Sequence, residues 1–301
     1  SMIRGYEPGK QSAVNGKAYN GVPKEHRVDQ YHRDIVMARA TSGASGIWFL
    51  KGGNALIWRD PAARATKDLD LYNRASQTIQ EAIKAFIDSV ESNPQDIPPL
   101  DVQMRVEILG EPHREGKRES QALRVFIIPP HGEGQVRVNI DLVVGCCITG
   151  IPDLRDNRSL ADVLGVDISN LPQVNLYPIV DHIADKVSAT MQSYSNNRMS
   201  SRVKDLVDII ILSRQGAINN IQFVDLFTAI ESERQQRNIK PYHHGFVVPE
   251  NWTEKMYHKE SKKVQGIPNK LADAVLEAQQ FLNPVISREA QGKSWNGKKW
   301  V

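Results

Sequence analysis

Residues 51–70 read KGGNALIWRDPAARATKDLD: a Lys-Gly-Gly turn, a short helical stretch, then two acids one residue apart. The segment before it, GIWFL (46–50), is a short apolar strand that runs into Lys51-Gly52-Gly53. Asn54 to Arg59 resembles a brief helix stopped by Asp60-Pro61. KDLDLY (67–72) alternates polar and apolar residues with period two, which predicts a half-buried strand with Leu69 and Leu71 inward and Asp68 and Asp70 sharing the other face. Two like charges on one strand face repel, and two glycines contribute no packing. A cation or a phosphate from outside the chain would offset both costs.

Working outward, VRVNIDLVV (136–144) alternates in the same way, with Val136, Val138, Ile140 and Leu142 inward and Asp141 on the polar side. If this strand pairs with 67–72, three carboxylates meet at one end of a sheet. DVQMRVEIL (101–109) and ALRVFII (122–128) add two strands, and Pro23 to Arg39 and residues 76–91 read as helices. Residues 148–176, rich in Asp, Asn, Pro and Leu, read as a connection, and helical patterns follow over about 178–192, 201–214, 221–234, 251–261 and 267–288. The expected fold is α+β: a mixed sheet flanked by helices, then a helical bundle. The expected organisation is a flexible arm (1–22), a core (23–150), a connecting segment (151–176), a helical domain (177–288) and a basic, aromatic tail (289–301).

The bulk numbers set wide limits. The 301 residues are 40% hydrophobic and 24% charged, with net charge +3, which permits a nucleotide or nucleic-acid partner without demanding one. Cys146 and Cys147 are adjacent, a poor pairing for a structural disulfide and too few thiols for zinc. The cysteine usage makes a reducing cytoplasm the expected location; no apolar run reaches membrane-spanning length, and residues 1–10 show no apolar signal core.

Clustered carboxylates suit magnesium, which takes a few carboxylates together with substrate phosphates. Gly52-Gly53 opens a helix whose free N–H groups can hold phosphate oxygens. Taken alone, a D-x-D is also read as solvated acids at a strand end, and Gly-Gly as an ordinary turn; their order along the chain favours a site for a metal-bound nucleoside triphosphate. In the helical half, Lys186 sits on the shoulder of an apolar stripe formed by Ile179, Ile183 and Val187, and Asp205 and Asp208 lie among Leu206, Val207, Ile209 and Ile210. An acid in such company tends to be paired, which points to a Lys186–Asp205 ion pair, with Asp208 left as a brace of the fold. Arg64 is read either as a phosphate contact or as a surface residue, His182 as a helix-surface residue, and His243-His244 as a loop. Arg198, Arg202 and Lys204 are candidate nucleic-acid contacts or solvated charges. Trp295 and Trp300 in the tail suit stacking on RNA bases, or docking on a partner.

FLKGGNAL followed by RATKDLDLY resembles the nucleotidyltransferase-like toxins of the AbiEii/AbiGii family, which includes the MenT toxins, within the polymerase-β-like nucleotidyltransferase superfamily. VNIDLVVG resembles its third-carboxylate strand, and HIADKVSATM (182–191) and RVKDLVDIIIL (202–212) its two helical motifs. The resemblance implies metal binding by Asp68, Asp70 and Asp141, phosphate contact by Lys51, Gly52, Gly53 and Asn54, and completion of the site by Lys186 and Asp205. Asn54 stands where the superfamily has Ser or Thr. The implied cofactor is magnesium, or manganese. The implied reaction moves a nucleoside monophosphate from an NTP to an RNA 3′ hydroxyl, with the tRNA acceptor end as leading substrate and translation as the process stopped. A cognate antitoxin, often a winged-helix DNA-binding protein, is implied as partner. A protein or small-molecule acceptor, and a non-catalytic nucleotide-binding module, stand as alternatives.

Overall fold

The computed structural model describes residues 3–43, 47–131, 134–192 and 202–301. It divides into two compact units: Ser1–Pro61, Ala65–Cys146 and Pro152–Leu176 form the first; Ala62–Arg64, Cys147–Ile151 and Tyr177–Val301 form the second.

The first unit runs α1 (Tyr6–Asn15), α2 (Arg27–Thr41), β1 (Trp48–Lys51), α3 (Gly52–Arg59), β2 (Asp68–Asn73), α4 (Ile79–Ser92), β3 (Gln103–Glu115), β4 (Arg118–Ile128), β5 (Val136–Val144), β6 (Asp153–Arg155), α5 (Arg158–Leu164) and β7 (Val174–Leu176). Seven strands form one mixed sheet in the order β3-β4-β5-β2-β1-β7-β6. β2 pairs parallel with β5 and antiparallel with β1, while β7 pairs parallel with β1. The period-two pattern has its expected consequence. Leu69, Leu71, Ile140 and Leu142 are at most 2% exposed and join the core with Trp48, Leu50 and Phe86. Burying apolar side chains of this size contributes roughly 1.5–3 kcal/mol each. That burial fixes the register, because a slip by one residue would turn every carboxylate inward.

Two expectations need correction. The arm expected over residues 1–22 contains α1, whose Tyr6 is 1% exposed and whose backbone N–H donates to Asp101 at 2.9 Å. Tyr6 also bonds His32 Nε2 through its hydroxyl at 2.7 Å, so aromatic anchors outweigh the loose Gly, Asn and Lys composition. The connecting segment, in turn, contains β6, α5 and β7, and β7 extends the sheet beside β1. These elements are too short to show a period.

The second unit comprises α6 (Ile179–Gln192), α7 (Lys204–Arg214), β8 (Ile221–Gln222), α8 (Phe223–Gln236), α9 (Glu254–Ser261), α10 (Leu271–Ile286) and β9 (Ser294–Trp295). All five expected helices are present. The tail is a packed hairpin: Ser294 and Val301 exchange backbone hydrogen bonds, and Asn296 Oδ1 caps the turn by accepting from the N–H groups of Lys298 and Lys299. Trp295 Nε1 donates to Ser213 O at 2.8 Å and Trp300 Nε1 to Phe281 O at 2.9 Å, with both rings against Phe281. The tryptophans of the tail are thus committed to packing. Among the described residues no helix is long and apolar enough to cross a membrane.

Candidate active site

Lys51, Asp70 and Asp141 occupy one cross-strand row. Lys51 pairs with Asp70 across β1 and β2, and Asp70 pairs with Asp141 across β2 and β5. Directly opposed residues present their side chains to the same face, here the face away from the leucines. Asp68, two residues back on that face, is exposed and sits opposite Asn139. Farther along the face, Phe49 and Tyr72 pack at 5.8 Å between ring centroids, and both are buried. The carboxylates therefore lie between a solvent-facing end and an aromatic end.

The electrostatics follow from that row. Asp141 has its pKa raised from 3.8 to about 7, first by burial and then by the Asp70 carboxylate, with Lys51 opposing and Asp68 adding a smaller push upward. Lys51 is 6% exposed, and its Nζ lies 3.6 Å from Cys146 Sγ. Cys146 and Cys147 are free thiols.

The turn into α3 is shaped around Asp70. Gly52 has φ +63°, and a Cβ placed there would lie 2.0 Å from Asp70 Oδ2. Glycine is required on both counts. α3 begins at Gly52 itself, with no side-chain cap on its free N–H groups. Asn54 has one end of its carboxamide fixed. It is 1% exposed, and its Oδ1 accepts from Gln30 Nε2 of α2 at 3.0 Å. Its Nδ2 is buried without a hydrogen-bond partner among the described residues, so this turn offers a phosphate its backbone N–H groups and that amide donor.

A second constellation lies within the second unit. Lys186 Nζ is 3.2 Å from Asp205 Oδ1 and 3.0 Å from Asp208 Oδ2. Arg64 grips Asp208 with two parallel bonds, Nε to Oδ1 and Nη2 to Oδ2, both 2.7 Å. The expected Lys186–Asp205 pair is present, but Asp208 is the hub that joins both cations. Burial opposes the charge on Lys186, yet Asp208 and then Asp205 outweigh it and lift its pKa above the ordinary lysine value. Burial likewise pushes Asp208 up, and Lys186 and Arg64 overcome it, holding that carboxyl well below the usual range. The reading of Arg64 as a surface residue is corrected: it is 7% exposed and bound bidentately. His182 is also corrected, being fully buried in α6, whereas His243 and His244 lie in an exposed turn as expected.

Arg202 is exposed, with Nε 3.1 Å from Asp205 Oδ2. Lys204 is half-buried at the start of α7, its pKa lowered by burial and then by Arg202, Arg64 and Lys186. Arg198 lies outside the described residues. The sequence reading of Asp208 as a brace of the fold did not extend to its partner Arg64, which is 144 residues away. The signal was the spacing of Asp205 and Asp208, which puts both on one helix face toward Lys186.

Among the described residues no three His, Cys, Asp or Glu side chains are drawn together closely enough to hold a metal by themselves. A magnesium site with one or two carboxylates, completed by water and substrate phosphates, needs no such cage. The adjacent Asp70 and Asp141 fit that kind of site, with Asp68 next along the face.

No curated protein matches the sequence. Two solved structures from Helicobacter pylori are similar at low identity. The first, JHP933, has 11% identity and a TM-score of 0.46, aligned over 89% of this chain and 94% of its own. The second, a candidate nucleotidyltransferase, has 10% identity and a TM-score of 0.44, over 87% and 95%. The sequence also matches the family described as nucleotidyl transferase AbiEii toxin, type IV toxin–antitoxin system, across residues 35–284. That match takes in β1 to β7 and α6 to α9, and the chain therefore belongs to the AbiEii family of nucleotidyltransferase toxins.

Proposed function

We propose that this nucleotidyltransferase moves a nucleoside monophosphate from an NTP to an RNA 3′ hydroxyl, with the tRNA acceptor end as acceptor, and that the modified tRNA can no longer support translation. The observation that carries the reading is the row Lys51–Asp70–Asp141 beside a glycine turn that leaves Asp70 no room for a neighbouring Cβ. In the transfer, the acceptor O3′ forms a bond to the α-phosphorus. The bond from that phosphorus to the bridging oxygen breaks, and pyrophosphate leaves.

The residues divide the work by charge. Asp141, opposite Asp70 across β2 and β5, is assigned to take the hydroxyl proton. Lys51 and the backbone N–H groups of Gly53 and Asn54 hold phosphate oxygens. Magnesium or manganese, held by Asp70 and Asp141 with Asp68, would when bound neutralise charge on the triphosphate and favour the ionised hydroxyl. Lys186 and Asp205 are assigned to the reaction on their chemistry, a cation locked in its charged form. Arg202 and Lys204 are assigned to the RNA backbone. A cognate antitoxin is the partner that membership of a toxin–antitoxin family implies.

The test is incubation with magnesium, each α-labelled NTP in turn and total tRNA. Label on the tRNA 3′ end, abolished by Asp70→Asn, is expected. Label on protein or on a small molecule, with tRNA untouched, would move the acceptor; no transfer under any NTP would overturn the reading.

A further inference from the structure

The sequence reading passed over Arg33 of α2, and its surroundings are unusual for a buried cation. Arg33 is 5% exposed. Its Nη2 donates to Gln30 Oε1 at 3.0 Å, and its Nε is buried with no hydrogen-bond partner. The acid beside it in sequence, Asp34, is taken: Oδ2 accepts from Tyr19 at 2.7 Å and Oδ1 from Gln30 at 3.0 Å. Burial drives the Asp34 carboxyl up to about 6, against those hydrogen bonds and against Arg33 itself. Asp29, one turn back on α2, is exposed.

A guanidinium placed in the interior without a hydrogen-bonded carboxylate is costly, because it has lost water and its neighbour Asp34 gives its hydrogen-bonding capacity to Tyr19 and Gln30. Such a group is suited to receive an anion. Two observations give the direction. Gln30, which holds Arg33 through Oε1, holds Asn54 Oδ1 through Nε2 at 3.0 Å, so one side chain ties Arg33 to the first turn of α3. Burial lowers the Arg33 pKa, and Asp34, Asp29 and Tyr19 oppose it, followed by a smaller contribution from Asp68 of the carboxylate set on β2.

We propose that Arg33 is a phosphate-contacting residue for the bound NTP, held in place by Gln30. The inference rests on the nucleotidyl-transfer reading and adds to it a residue and the substrate group it touches. A phosphate supplies the counter-charge at the guanidinium, and guanidinium geometry suits it. Gln30 then acts as a positioning residue that couples the guanidinium to the Gly52-Gly53-Asn54 turn.

Equilibrium binding of magnesium–NTP without acceptor tests this, using the full chain and Arg33→Met and Arg33→Lys, with the matching nucleoside as a control. Arg33→Met is expected to weaken NTP binding by at least about tenfold, the scale of one lost charge-assisted bond. Nucleoside binding is expected to stay unchanged, and Arg33→Lys to recover part of the loss. The melting temperature of Arg33→Met is expected to hold or rise, since removing an unpaired buried charge relieves a cost. Wild-type affinity for NTP in Arg33→Met, or a melting loss that accounts for weaker binding of NTP and nucleoside alike, would overturn the inference and leave the transfer reading standing. Absence of magnesium–NTP binding in the wild type would overturn both.

Discussion

Replacing Asp141 with asparagine will flatten the dependence of stability on pH in the metal-free protein. Folding raises the pKa of this carboxyl from 3.8 to about 7. Between those values the folded chain binds a proton that the unfolded chain has released, so stability falls as pH rises and levels off above the folded value. Each tenfold change in proton affinity is worth about 1.4 kcal/mol, so the full span has a ceiling of about 4 kcal/mol. From about pH 5 to about pH 8 the ceiling is about 2–3 kcal/mol, and solvent reaching the site lowers it to about 1–2 kcal/mol. Asp34 and Asp181 are also raised and contribute a slope of the same sign. The informative quantity is therefore the wild-type loss minus the Asp141→Asn loss. It is measured by urea unfolding with a chelator present. Adding magnesium is expected to recover stability at high pH in the wild type, by about 2.7 kcal/mol at a hundred times Kd, and less in the variant. Parallel pH profiles for the two proteins would refute the claim that Asp70 and burial together load this carboxyl.

Other outcomes follow from the same geometry. Gly52→Ala forces a Cβ into Asp70 Oδ2 at φ +63°; it is expected to cost about 1–2 kcal/mol in stability and about a hundredfold or more in kcat, and unchanged turnover would count against the turn. Asp208→Asn leaves Arg64 and Lys186 buried with too little negative charge, at a cost of about 3–5 kcal/mol in a denaturation experiment. Trp295→Ala removes a ring that is 3% exposed and bonded to Ser213 O; a loss of about 3–5 kcal/mol is expected, with the KM for tRNA unchanged.

How much of this could be read in the sequence depended on the range of each signal. Strands β2 and β5 were legible because Leu69, Leu71, Ile140 and Leu142 mark one face at period two, and the acids between them had to share the other. Pairing of those strands was a conditional reading that the register bears out. The Lys186–Asp205 contact was legible because both residues stand in apolar helices, where charge has to be matched. By contrast, β7 has three residues and owes its place to β1 beside it, which no local pattern encodes. α1 is held by Tyr6 and its distant partners Asp101 and His32, and its composition gave no hint of them. Asn54 and Arg33 acquire meaning only through Gln30, which binds them both. Trp295 and Trp300 carried an aromatic, basic signature that suits RNA equally well, and Phe281 decides for packing.

The central claim, that Asp70 and Asp141 share a metal-bound triphosphate across β2 and β5, is tested most directly by electron paramagnetic resonance of manganese. The ion is titrated with a non-hydrolysable NTP into the wild type, Asp70→Asn and Asp141→Asn. The account predicts nucleotide-dependent uptake of manganese by the wild type and affinity at least about tenfold weaker in each variant. Variants that take up manganese and NTP as tightly as the wild type would contradict it.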